Sequence, residues 1–522
     1  IIGYEAGTAL TPTAEQGATL IGKEAGKSLT TGPYNTAVGR GALKTATNAN
    51  NCIAIGDSAM QYIPASTAFI GVMAIGGSAL GDATGLDTTA NYSIAIGGGA
   101  GNNASNLAGE FVIIGRDAGQ KLNGTGVVHV GHEAGQYASG SSNTFMGSEA
   151  GKGGTTSAPF SSGPNNTAIG YQALKSFTTA NTNSVVGMQA GMDITTNGGN
   201  SLLGYRSGYN LATGNGGNVA IGYEALYTGD TEAYTTAVGY RALYSQNNGT
   251  LNNTGIGVNA IKFNVTGTNN TALGYEAMKG ASGNSHSNNV AVGYLALTSV
   301  TTGGSNVAIG TNAGNSLTSG GSNIMIGNSA AASLTIGDWN TALGVQALAT
   351  EDVGRGTTAI GYQTLYSQNS DSNDEETFNT AVGFKAGYST TTATKVTYMG
   401  WNAGYSNTTG TSNTALGGLS LYQNQKGYGN VAIGYEAGKH ITSSLNVAIG
   451  FEAGKGNTSA PYNSGEANIS IGAYTAHDLT TGKRNVSVGN NAGHALDTGT
   501  DNTLLGNNAG VNVKDGVGAT II

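Results

Sequence analysis

Apolar residues along this chain fall in short runs that repeat. A typical run is Thr167-Ala168-Ile169 followed by Gly170, within NTAIGYQAL (166–174). Close variants are NTAVGRGAL (35–43), NVAIGYEAL (218–226), NTALGYEAM (270–278) and NVAIGYEAG (430–438). Anchored on the glycine, 29 copies align from Gly3 to Gly506, and 15 of the 28 spacings are 17 residues. The other spacings run from 16 to 23, which leaves no interval for a separate domain or linker. The residue before the glycine is Ile, Val, Leu or Met in every copy, and the residue two before that is mostly β-branched. Such triplets suit an extended strand. Side chains alternate across a strand, so Thr167 and Ile169 share one face and Ala168 takes the other. We place the bulky pair inside a coil, which makes Ile169, Val238 and Ile309 expected core residues.

The residues after the glycine set a second rule. The third is Ala in 25 of 29 copies, and the exceptions, Ser207, Thr364, Ser420 and Thr475, are small. A position restricted in this way is expected to lie where the coil is narrow, so Ala173, Ala242 and Ala313 join the expected core. Asn stands four residues before the glycine in 19 of the 28 copies that have this position. Asn accepts left-handed backbone and bonds to neighbouring main chain, so it suits a turn. Stacked Asn side chains can also form a ladder.

Seventeen residues are too few for the helix pairs of tetratricopeptide or ankyrin arrays, and neither a leucine-rich pattern nor a calcium-binding GGxGxD repeat occurs. Two short strands and two turns per coil fit the period. The expected fold is all-β: a parallel β-roll or β-solenoid of about 29 coils, one continuous repeat domain over residues 1–522. At ~4.8 Å per coil it would extend on the order of 140 Å. Stability would come from neighbouring coils. The chain opens within a repeat at Ile1-Ile2-Gly3 and closes on GATII, which predicts a window of a longer fibrous protein.

The face opposite the bulky pair changes this picture. Its residue is Ala in 16 of 29 copies and is never charged. Val185, Leu202 and Met325 stand at the position Ala168 occupies. A strand apolar on both faces is normally covered on both. Ala168, Val185, Leu202 and Met325 are therefore expected to meet partner chains. The phrase N-[TSV]-A-[IVL]-G-x-x-A resembles the head repeat of YadA-type trimeric autotransporter adhesins and the similar arrays of phage tail-fibre proteins. The resemblance covers essentially the whole chain. It implies a left-handed roll and a homotrimer, intertwined or side by side. The coils here are longer than is typical of those adhesin heads, and no coiled-coil stalk, membrane barrel anchor or C-terminal chaperone segment is recognisable.

Composition removes several functional classes. Gly numbers 88, only 10% of residues are charged, and the net charge is −8 without a basic patch, so nucleic acid is not an expected partner. The single Cys52 excludes an internal disulfide framework, and no apolar run approaches ~20 residues, so no membrane insertion is expected of this segment. HVGHE (129–133) does not have the helical setting that metal motifs need, and GNGGN (214–218) reads as a turn. We find no catalytic constellation and no cofactor motif, and read the chain as non-enzymatic. The sharpest metal candidate is His129: on a face shared by three chains, three copies could hold an axial ion.

Surface contacts are expected elsewhere. Aromatic residues recur just after the glycine, and Tyr223 and Tyr240 would form part of an outward ladder. Two lengthened coils, GKGGTTSAPFSSGPNN (151–166) and GKGNTSAPYNSGEAN (454–468), place Phe160 and Tyr462 on protruding turns. Insertions in repeat proteins are often the binding face. The expected function is the trimeric shaft of a phage tail fibre that helps attach to a host-surface glycan or protein, on the virion surface or otherwise extracellular. The alternative is a bacterial cell-surface adhesin or an extracellular filament.

Overall fold

The computed structural model describes residues 1–522 except 12–16, 65–67, 87–88, 106, 108, 158, 232, 248, 250, 374 and 459–461. It is all-β, with no helix among the described residues. Each repeat supplies one strand of three residues, and successive strands pair in parallel within a 29-stranded sheet. The register is exact from coil to coil: Thr167, Ala168 and Ile169 pair with Ser184, Val185 and Val186. The solenoid is thus shown, and the chain divides into two compact units, Ile1–Thr268 and Asn269–Ile522. In the first unit a small extra sheet joins Asn48–Asn50 to Ala68–Ile70.

Close stacking explains the glycine. Every one of these glycines has φ between +126° and +143°. A Cβ on Gly170 would lie 2.5 Å from the carbonyl oxygen of Gly187 in the next coil, and a Cβ on Gly310 would lie 2.6 Å from that of Gly327. No L side chain fits such a place. The glycine lets the chain leave the strand and allows the next coil to sit in backbone contact.

The asparagines form the expected ladder, inside the solenoid. Asn306 is buried; its Oδ1 accepts the backbone N–H of Asn323 at 2.9 Å and the Asn323 amide at 3.1 Å. Its own Nδ2 donates to Gly320 O and to Asn289 Oδ1. The pattern continues through Asn340 to the N–H of Thr357. Each side chain therefore satisfies main-chain groups at a turn, where strand pairing has ended. In the first unit Cys52, Val72, Phe111 and Val127 stand in this column, and the ladder lapses there.

The facing of the strand is the reverse of the one expected. Ala168, Val185 and Met325 are fully buried and Leu202 is 2% exposed, all within their own chain. Ile169 and Ile309 are 37% and 38% exposed, and Val238 is half-buried. Ala173, Ala242 and Ala313 are fully buried, as expected. The physical reason is the width of the coil. The middle strand residue points toward the residue four after the glycine, and the space between them holds no more than one large side chain. Where the strand carries Ala168, the facing position is Leu174; where it carries Phe145, the facing position is Gly151. A Cβ on Gly151 would lie 2.5 Å from the Phe145 ring, and one on Gly404 would lie 2.6 Å from Tyr398. Leu20 with Gly26, Ile113 with Gly119 and Ala237 with Leu243 follow the same rule.

Two measurements test this packing. Ala168→Leu should overfill its coil and cost about 1–3 kcal/mol in urea unfolding, and adding Leu174→Gly should restore most of the loss. Asn306→Ala should strand the buried N–H of Asn323 and cost about 1–3 kcal/mol by the same assay.

Candidate functional surface

The reversed facing leaves the bulky strand residues on the outside of each unit. In the second unit Leu273, Ile309, Leu343, Met399, Leu416 and Ile471 are each between 37% and 48% exposed. They stack at the coil spacing along one sheet face, beside a column of Thr, Val and Ile such as Val307, Ile324 and Thr341. Neither column contains a charged residue in any copy. Contiguous apolar surface on this scale marks an interaction face. The face assigned to partner chains from the sequence is filled by each chain's own core, and the face assigned to the core is the one left uncovered.

The aromatic residues form ladders, as their spacing suggested. Tyr223 stacks between Tyr205 and Tyr240 with ring centroids 5.0 and 5.2 Å away, and Tyr227 stacks likewise between Tyr209 and Tyr244. The Arg241 guanidinium lies 5.2 Å from the Tyr240 ring and 5.3 Å from Tyr244, between the two columns. Tyr366, Tyr388, Tyr405 and Tyr422 make a four-ring stack in the second unit. Tyr223 and Tyr240 are 42% and 43% exposed, so both reach the surface. Stacking uses the ring faces, so the columns present hydroxyls and ring edges. Phe160 and Tyr462 are half-buried, since each folds back on a ring of the preceding coil: Phe160 on Tyr137 and Tyr462 on His440.

His129 does not lie on a shared axis. It is fully buried in its own chain, stacked 4.9 Å from Phe145, with neither ring nitrogen hydrogen-bonded. Burial pulls its pKa down to about 3, and pulls His286 to about 4. Burial, with Lys439 and Lys455 nearby, lowers His440 to about 4. Among the described residues no three His, Cys, Asp or Glu side chains are arranged to hold a metal ion, and no helix is long and apolar enough to cross a membrane. Buried carboxylate chemistry is satisfied internally: Glu351 accepts from the N–H groups of Val353, Gly354 and Ser370, from the Ser370 hydroxyl, and from Gln368.

Charged residues after the glycine pair between coils. Hydrogen bonds from Lys44 and Lys27 hold Glu24 at about 2. Burial alone would raise Glu436, but Lys439 and Lys455 outweigh it and also bring it to about 2.

These shifts fix the sign of the pH response. An unfolded His takes up a proton near 6.5, whereas His129 resists until about 3. Between those values the unfolded chain binds more protons, so stability falls as pH drops. The lowered carboxylates add to the loss between about 4.5 and 2. Thermal unfolding should therefore shift downward on acidification from pH 7 to pH 4. His129→Phe copies the neighbouring Phe145 coil and removes the titrating ring, so it should flatten the dependence by up to ~1.4 kcal/mol per pH unit in that range.

Compared with known protein families, with curated proteins and with solved structures, the chain matches none.

Proposed function

We propose that this chain is a structural fibre segment that self-associates through its uncharged sheet face, as the homotrimeric shaft of a phage tail fibre or a related surface adhesin. The observation that carries the reading is the aliphatic column at Ile169, Ile309, Leu343 and their equivalents, at least partly exposed in every coil and never interrupted by a charge. A second copy of the same chain offers the same column at the same spacing, so one symmetric contact recurs at every coil. The resemblance of the repeat phrase to YadA-type heads and tail-fibre arrays favours three copies over two. The role is mechanical: the stacked coils carry load through main-chain hydrogen bonds, while the variable turns, on the side away from the association face, meet the host surface. Such a part belongs on a virion or outside a cell, and its ligand is a surface glycan or protein. A bacterial adhesin or a plain filament uses the same contact.

The full chain should have a native mass three times its 51.9 kDa. Replacing Leu343 and Leu416 together by Lys should lower the particle to a monomer with its β-rich circular dichroism retained, because both side chains already face outward. A wild-type chain that stays monomeric at micromolar concentration overturns the reading.

A further inference from the structure

A cavity of about 340 Å³ lies beside Gly456, Asn457 and Thr458, in the first part of the second lengthened coil. The volume is at the lower end of ligand sites, which run from ~300 to 1,000 Å³. Asn457 and Thr458 of the lengthened turn, His477 and Asp478 of the next coil, Asp497 of the following one and Lys514 beyond it line the space. Gly456 and Ala495 are the remaining walls and keep it open.

The polar groups in this cavity are held in place by a relay across coils. Lys455 Nζ is 2.9 Å from Glu452 Oε2, which lies 3.1 Å from His477 Nε2. His477 Nδ1 lies 2.7 Å from Asp478 Oδ1. The His494 ring stacks on His477 at 4.9 Å, and its Nδ1 stands 3.8 Å from Asp478 Oδ2, beyond hydrogen-bond distance. One carboxylate oxygen of Asp478 is thus fixed and the other is open to a new donor. Asp497 accepts from the Thr480 hydroxyl, which orients its carboxylate. Side chains that fix one another in this way lower the ordering cost of a ligand.

The donor set selects the ligand class. Two carboxylates disfavour an anion, and the Lys514 ammonium disfavours a bare cation beside it. Hydroxyl groups both donate and accept, so a neutral polyol satisfies Asp478, Asp497 and Lys514 together. The same chemistry recurs in the first unit. A second cavity of about 320 Å³ lies on the same turn of the repeat, lined by Asp193, Asn210, Ala212, Thr228, Asp230 and Asn247. There the buried Asn247 Oδ1 has no hydrogen-bond partner. Asp193 and Asp478 occupy the sixth position after their glycines, and Asp230 and Asp497 the eighth.

We infer that the cavity bordered by Gly456, Asn457 and Thr458 is a subsite for one neutral sugar residue, with Asp478 and Asp497 accepting from its hydroxyls and Lys514 donating to it. The inference rests on the surface-attachment reading and names its ligand class. The test uses the full chain and saturation-transfer NMR with methyl α-D-mannopyranoside, methyl β-D-galactopyranoside, methyl β-D-glucopyranoside and N-acetyl-D-glucosamine. At least one should give a signal. Asp478→Asn and Asp497→Asn should each weaken it about tenfold or more, whereas Asp501→Asn, on an exposed pair with Arg484, should not. Circular dichroism and thermal unfolding confirm that the variants are folded. If none of the four sugars binds, or if the Asp478 and Asp497 variants bind as well as wild type, the subsite is lost. Native mass reports separately on self-association, so a trimer without sugar binding removes the subsite and leaves the fibre reading standing.

Discussion

Backbone contact between glycines of successive coils is the constraint on which this molecule depends. A Cβ on Gly170, Gly222, Gly310 or Gly344 would strike the carbonyl group of the next coil, so the anchor position admits one residue type. That contact sets the coil spacing. It thereby sets the strand register, the Asn ladder and the distance between stacked tyrosines. The ladder and the glycines divide the work: glycine permits the approach, and Asn satisfies the main-chain groups that the turn would otherwise leave buried and unpaired.

Within the frame, the interior has room for one large side chain per coil on either of two facing walls. The chain uses both solutions, Ala168 with Leu174 and Phe145 with Gly151, and alternates them freely. Where both walls are small, as at Ala308 and Gly314, side chains of the adjacent coils, Leu297 and Met325, reach into the space. The exchange also explains why buried rings as different as His129, Phe145 and Tyr398 appear at one position without any chemical role: each has glycine opposite.

The outside of the coil is divided in two. One sheet face is uniform and uncharged, which suits contact with copies of the same chain. The turns opposite carry the variation in length, charge and aromatic content. The uniform and the variable surfaces thus occupy different positions of the repeat.

The repeat phrase alone determined the solenoid, its parallel stacking and the burial of Ala173 and its equivalents. These follow from period and from size limits that hold in nearly every copy. Which face is which could not be read from hydrophobicity, because Ala168 and Ile169 are both apolar. The larger residue is the usual choice for a globular interior, but here the facing wall already supplies a large side chain, Leu174 opposite Ala168, so the strand turns its small residue inward. The signal was present in the reciprocal sizes of the middle strand residue and the residue four after the glycine. It acquires meaning only when the two are known to face each other. His129, placed on an axis by its column, is enclosed for the same reason. Tertiary structure decided these points because a strand fixes alternation, while the wall opposite decides which side has room.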